Sequence, residues 1–231
     1  TAFFQDCASF ENTIYPDNLP ALIYAAKAAR TPYLTPSGPD SLNVAVNPAG
    51  VPIGESAQLS ATADDTRFFD TVGSEPTQNI AAAEYYIDIP PWSTNPAPVA
   101  YPMSPADGAF DEKVEGVVAT LDTSSLSQGR HIVFVRSQDI NGNWGAVSAA
   151  FVYVLDPDIA PTIEGYVRDM GDNSPLLATV NAGVFATVSD PATGYYVMSV
   201  ISGTYNMTAI AEGHNPATAN NVQALDYQTV R

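Results

Sequence analysis

The chain is poor in the residues that build metal and disulfide chemistry. Its 231 residues include one cysteine and two histidines. A lone cysteine excludes an internal disulfide framework. Cys7 is read either as a small buried hydrophobe or as half of a bridge whose partner lies elsewhere. Positive charge is also scarce: 8 Lys and Arg stand against 25 Asp and Glu, for a formal net charge of −17. That sign excludes nucleic acid as a partner. It suits a protein kept soluble in a salty medium, where screening weakens self-repulsion. The longest apolar runs, such as "AVSAAFVYVL", fall far short of a membrane span. The first residue is not methionine, so the lack of a signal peptide says little, and the chain is expected to be a fragment or a processed product.

What is present suits packed cores. Hydrophobic residues make up 45%, aromatic residues 10% and charged residues only 14%, so this is not a disordered polymer. The length allows one large or two small domains.

Residues 17–30 hold the one convincing helix pattern. Asp17 or Asn18 is placed to accept free amide hydrogens at its start, and Pro20 falls in the first turn, where a missing donor costs nothing. Leu19, Leu22, Ile23 and Ala26 share one face, Lys27 and Arg30 sit near the carbonyl end, and Pro32 stops the helix.

From "TPSGPD" (35–40) the pattern changes. Runs such as "LNVAV", "AQLSATA", "AAAEYYIDI", "VEGVVATL" and "RHIVFVRSQD" alternate with Pro, Gly, Asn, Asp and Ser, the spacing of an antiparallel sandwich. "DINGNWG" reads as a hairpin loop, with Gly142 free to take positive φ. "PPWSTNPAPVAYPMSPADG" carries six prolines and is expected to be a long surface loop without regular structure. "LDPDIAPT" (155–162) reads as a linker. A second all-β stretch follows, with Gly194 and Gly203 at strand boundaries.

Three segments carry a resemblance. "TAFFQDCASFENTIYPDNLPALIYAAKAARTPY" resembles the end of the catalytic domain of secreted bacterial zinc carboxypeptidases, carboxypeptidase A-like in fold. "SEPTQNIAAAEYYID" and "GRHIVFVRSQDINGNWGAVSAAFVYV" are similar to the immunoglobulin-like module appended to such enzymes. "IEGYVRD" through "GTYNMTAIAEGH" resembles a carboxypeptidase regulatory-like, or transthyretin-like, domain, through Gly165, Pro175, Leu176, Ala178, Gly194, Tyr195, Gly203 and Tyr205. The resemblance implies a mainly β chain: a catalytic-domain remnant with one helix (1–34), an Ig-like β-sandwich (40–156) and a carboxypeptidase regulatory-like β-sandwich (161–231).

The departures from that family matter as much. Its zinc site needs a His-x-x-Glu pair and a later His. Here His131 is followed three residues on by Phe134, and His214 by Ala217. The family's general base lies outside this chain. No catalytic, cofactor-binding or metal-ligating residue carries over, and the chain alone is expected to be inactive, with zinc belonging to the parent catalytic domain.

Other chemistry is weaker. Asp139, Asn141 and Asn143 alternate like the start of a calcium loop, but an EF-hand loop begun at Asp139 would need its closing acid at Ala150. A hairpin turn is favoured there. Asp64 with Asp65, and Asp107 with Asp111, are acidic pairs read as solvated surface, with calcium as the minority reading. Tyr85, Tyr86, Trp92, Tyr101 and Trp144 suggest a carbohydrate platform, against the stronger reading that they anchor core and loops, one of Tyr85 and Tyr86 facing in and the other out.

Two functions follow. The chain is the non-catalytic accessory region of a secreted zinc metallocarboxypeptidase, partnered by the parent catalytic domain. Alternatively it is an extracellular structural subunit that self-assembles through β edges and its N-terminal segment into a homo-oligomer or filament. Phe3, Phe4, Phe10, Leu19, Leu22 and Ile23 form an apolar set expected to dock on the first sandwich or against another chain.

Overall fold

The computed structural model describes residues 7–16, 18, 19, 22, 23, 25, 38–67 and 76–231. The described part is mainly β, as the alternation of β-branched runs and turn clusters requires. From residue 38 onward no helix occurs among the described residues.

Eight strands make the first unit: β1 (Asp40–Asn47), β2 (Gly50–Pro52), β3 (Ser56–Asp64), β4 (Ile80–Ile87), β5 (Tyr101–Pro105), β6 (Val114–Asp122), β7 (Gly129–Asp139) and β8 (Ser148–Leu155). They hydrogen-bond in the order β1-β3-β6-β5-β4-β7-β8-β2. The sheet curls until β1 lies against β7 and β8, so the two layers of the sandwich are joined through β5 and the unit is nearly a barrel. Pairing is antiparallel except at β2, which runs parallel to the end of β8. Leu59, Ile80, Val117, Leu121, Val133, Val135 and Val152 fill the interior. The period-2 alternation of β3 and β7 delivers these side chains to one face.

β5 corrects the reading of the proline-rich stretch as wholly irregular. Pro102 and Pro105 lie inside this strand. It pairs with β4 over Tyr101–Met103 and with β6 only at Ser104 and Pro105. A strand that hands over from one neighbour to the other has short ladders, and proline's missing N–H costs least there.

The second unit has two sheets. One runs β11 (Phe185–Val188), β10 (Ala178–Ala182), β13 (Gly203–Ala211), β14 (Ala217–Ala224); the other runs β12 (Tyr195–Ser199), β9 (Thr162–Tyr166), β15 (Thr229–Val230). Between them lie Ile163, Val180, Ala182, Phe185, Met198, Val200 and Met207. Leu155, the last residue of β8, belongs to this second core, and Tyr153 stacks edge-on against Phe185 at 5.7 Å. Beside that contact, Asp226 Oδ1 accepts from Gln128 Nε2 at 2.9 Å and from Ser202 Oγ at 2.5 Å. The two units are therefore packed and hydrogen-bonded to one another.

The N-terminal helical segment begins earlier than expected, and within 17–30 the described residues 18, 19, 22, 23 and 25 are helical. Cys7–Ser9 is α-helical and Phe10–Ile14 is π-helical, upstream of the helix read over 17–30. Asn18 is itself helical and donates from Nδ2 to the Ile14 carbonyl at 2.7 Å, so it does not cap a helix start. Asp17, Pro20, Ala26, Lys27, Arg30 and Pro32 lie outside the described residues, as do Phe3 and Phe4. Leu22 is 65% exposed, and Phe10 and Ile23 are also exposed, so these side chains are not docked on the first sandwich.

Candidate functional site

Both histidines are held in the same way. His131, on β7 and buried, has Nδ1 2.7 Å from Asp88 Oδ2 and Nε2 2.8 Å from the Ser127 carbonyl. His214 has Nε2 2.9 Å from Asp169 Oδ2 and Nδ1 2.8 Å from the Glu212 carbonyl. Every one of these partners is an acceptor, so the protonated ring, with two N–H donors, satisfies both of its partners at once. Burial lowers the His131 pKa, but the Asp88 hydrogen bond, the Ser127 carbonyl and the Asp88 charge together hold it above the ordinary value. For His214 the Glu212 carbonyl and then Asp169 raise it.

The acidic loops follow one pattern. Asp64, Asp107, Asp122, Asp139, Asp156, Asp169, Asp172 and Asp190 each accept the backbone N–H two residues on, at 2.6–3.2 Å. These are aspartate turns, in which the side chain stands in for a backbone carbonyl. The Ser124 amide holds Asp122 below the usual carboxylate range, and the Gly171 amide does the same for Asp169.

Asp139 goes furthest. It is 1% exposed and takes the amides of Asn141 and Asn143 on Oδ1 and the Asn143 side chain on Oδ2. Gly142, at φ +85°, completes the hairpin. Donors converge on this carboxylate where a calcium loop would present oxygens. Of the acidic pairs, Asp65 accepts from the Gln78 amide, and Asp111 contributes its carbonyl to Asn79 Nδ2.

The aromatic residues fall into two groups: Tyr85 faces the interior and Tyr86 the opposite side of β4, as alternation requires, and both are buried. On the outer face of β4 and β7 the Arg136 guanidinium lies 4.2 Å from the Trp144 ring centroid and 5.4 Å from that of Tyr86. It is paired with Glu84 at 2.6 Å and donates to the Tyr86 hydroxyl at 2.8 Å. Trp92 stands edge-on to Phe134 at 5.9 Å while remaining 66% exposed. Side chains packed over this face bury Tyr86, which strand alternation alone would leave in solvent.

On the inner side, Tyr85 stacks on Tyr101 with centroids 5.1 Å apart and planes 19° from parallel. This pair lines a cavity of about 380 Å³ that also takes in Asp88, Asp122, Val99 and Leu126. The lining comes from positions 85 to 126, a grouping that only the β4-β5-β6 pairing creates.

One buried group was invisible in the sequence. Glu115, on β6, is 3% exposed, and its Oε2 has no hydrogen-bond partner.

The motif residues of the last unit prove to be packing residues. A side chain at Gly165 would begin 2.8 Å from the Tyr196 hydroxyl, and one at Gly194, where φ is +74°, 2.4 Å from the Val167 carbonyl. Tyr205 donates its hydroxyl to the Ile201 carbonyl at 2.6 Å, and burial pushes its pKa up to about 12.

No protein-family model matches the chain, and no curated protein sequence matches it. Solved structures with partial similarity include OgpA from Akkermansia muciniphila, at 14% identity over 52% of this chain and 30% of that one, with a TM-score of 0.35. The SrpA adhesin of Streptococcus sanguinis overlaps 80% of this chain and 92% of its own at 11% identity and a TM-score of 0.28. BcpA, the major pilin subunit of Bacillus cereus, overlaps 84% of this chain and 69% of its own at 10% identity and a TM-score of 0.23. All three are partial overlaps at low identity, and no functional residue is carried over from them.

Proposed function

We propose that this chain is an extracellular β module with a structural, non-catalytic role: a stiff two-unit spacer or assembly subunit. The observation that carries the reading is the joint between the units, where Leu155 and Tyr153 enter the second core and Gln128 meets Asp226. Linked domains that merely share a tether move independently, whereas an apolar and hydrogen-bonded joint resists bending. The aspartate turns add stiffness to the loops, and the acid excess favours solubility at high ionic strength. The exposed Phe10, Leu22 and Ile23 supply an apolar surface for a neighbouring copy.

The test combines small-angle scattering with negative-stain imaging of the purified chain. A single rigid length, or end-to-end assembly of such rigid units, supports the reading. Broad bending between residues 155 and 162 overturns it.

A second reading rests on the motif residues. Gly165, Gly194 and Tyr205, which carry the likeness to carboxypeptidase regulatory-like domains, occupy sites where packing demands those residue types. On this reading the chain is the accessory region of a secreted zinc metallocarboxypeptidase. Intact mass and N-terminal sequencing of native secreted material would find it attached to, or cut from, a catalytic domain.

A further inference from the structure

The cavity beside Tyr85 and Tyr101 is furnished for a ligand. Its volume of about 380 Å³ falls within the range of small-molecule sites, roughly 300–1,000 Å³. Tyr101 is 41% exposed, so its ring is accessible to a ligand. Tyr85 is buried, and burial first, then Tyr101 and Asp122, raises its pKa, so it remains a hydroxyl that can donate.

The two carboxylates differ. Asp88 is already engaged by the His131 ring and by the Ile132 amide. Asp122 Oδ1 accepts from the Ser124 amide, which holds its pKa below the usual carboxylate range and leaves it an ionised acceptor. Val99 and Leu126 add aliphatic lining.

An aromatic face, a phenol donor, an ionised acceptor and an aliphatic wall together match one ligand chemistry. A sugar ring has a C–H face that stacks on an aromatic ring's negative face, and hydroxyls that donate to a carboxylate. An anion would be repelled by the net charge of −17. A cation would find both oxygens of one of the two carboxylates already engaged by His131 and the Ile132 amide. We propose that this cavity binds a neutral saccharide unit, with its C–H face on Tyr101 and its hydroxyls on Asp122. The site stands independently of the structural role and would give a spacer or subunit an adhesive surface.

The experiment is saturation-transfer NMR on the full chain with cellobiose, mannobiose and chitobiose at millimolar concentration, each repeated in high salt. Transfer from at least one sugar is expected, insensitive to salt, with binding about tenfold weaker or lost in Tyr101→Ala and in Asp122→Asn. Tyr101→Phe should retain it, since the ring stays. Far-UV circular dichroism and the unfolding midpoint confirm that each variant is folded. No transfer from any of the three sugars, transfer unchanged in Tyr101→Ala, or salt-sensitive binding of lysine amide in place of the sugars would each overturn the proposal.

Discussion

Gly50 lies directly against the ring of Phe185. A Cβ at position 50 would fall 2.6 Å from Phe185 Cε1, closer than real side chains approach. Gly50 begins β2 in the first unit and Phe185 begins β11 in the second, so this contact belongs to the joint. Gly50→Val is expected to lower stability by about 1–3 kcal/mol through overpacking. Urea unfolding gives the loss, and scattering should show the units angled apart. A variant as stable and as straight as the parent would show that the joint is soft.

Glu115 presents the opposite case, a position where the native residue is the poorer choice. Its Oε2 is buried without a partner among the side chains of the first core. Removing an unsatisfied polar atom while keeping side-chain length should help. Glu115→Met is expected to raise stability by about 1–3 kcal/mol. The urea midpoint reads it, and a fall would mean that the carboxylate is satisfied in solution.

His131 makes stability depend on pH. Its folded pKa is raised above the ordinary 6.5, so the imidazolium's contribution is fully present below about 6.5 and is lost as pH rises through the folded value. Asp88, the acceptor on Nδ1, is the charged group that faces it. The stability gap between the wild type and His131→Gln should therefore shrink as pH rises above about 6.5 and through the folded value. Thermal unfolding across that range checks it, and a constant gap would rule out a charged His131. At the surface, the Glu212 carbonyl and Asp169 raise the His214 pKa in the same direction.

Asp139→Ala should open the β7–β8 hairpin. It leaves the amides of Asn141 and Asn143 and the Asn143 side chain without their acceptor, at a cost of about 2–3 kcal/mol. Added calcium should leave the wild type's stability unchanged. Calorimetry of the wild type with and without calcium decides, and stabilisation by the ion that is lost in Asp139→Ala would assign the loop to metal binding.

The strands and the hairpin at Gly142 were legible because each rests on local chemistry: two-residue alternation and a glycine able to take positive φ. The aspartate turns were half legible. Asp-x-Asn in "DINGN" marked the spot, but a carboxylate that accepts amides and one that binds calcium look alike in sequence.

Long-range pairing decided the rest. β5 entered the sheet despite its prolines because β4 and β6 each needed only a short partner. Tyr86 was buried on the face that alternation assigned to solvent because Arg136 and Trp144 close over it from a strand and loop some fifty residues on. Tyr85, Tyr101 and Asp122 became one cavity wall only when β4, β5 and β6 paired. A residue's backbone preference travels with it along the chain. Its burial and its partners depend on which distant strands come to lie beside it, and no local pattern encodes that.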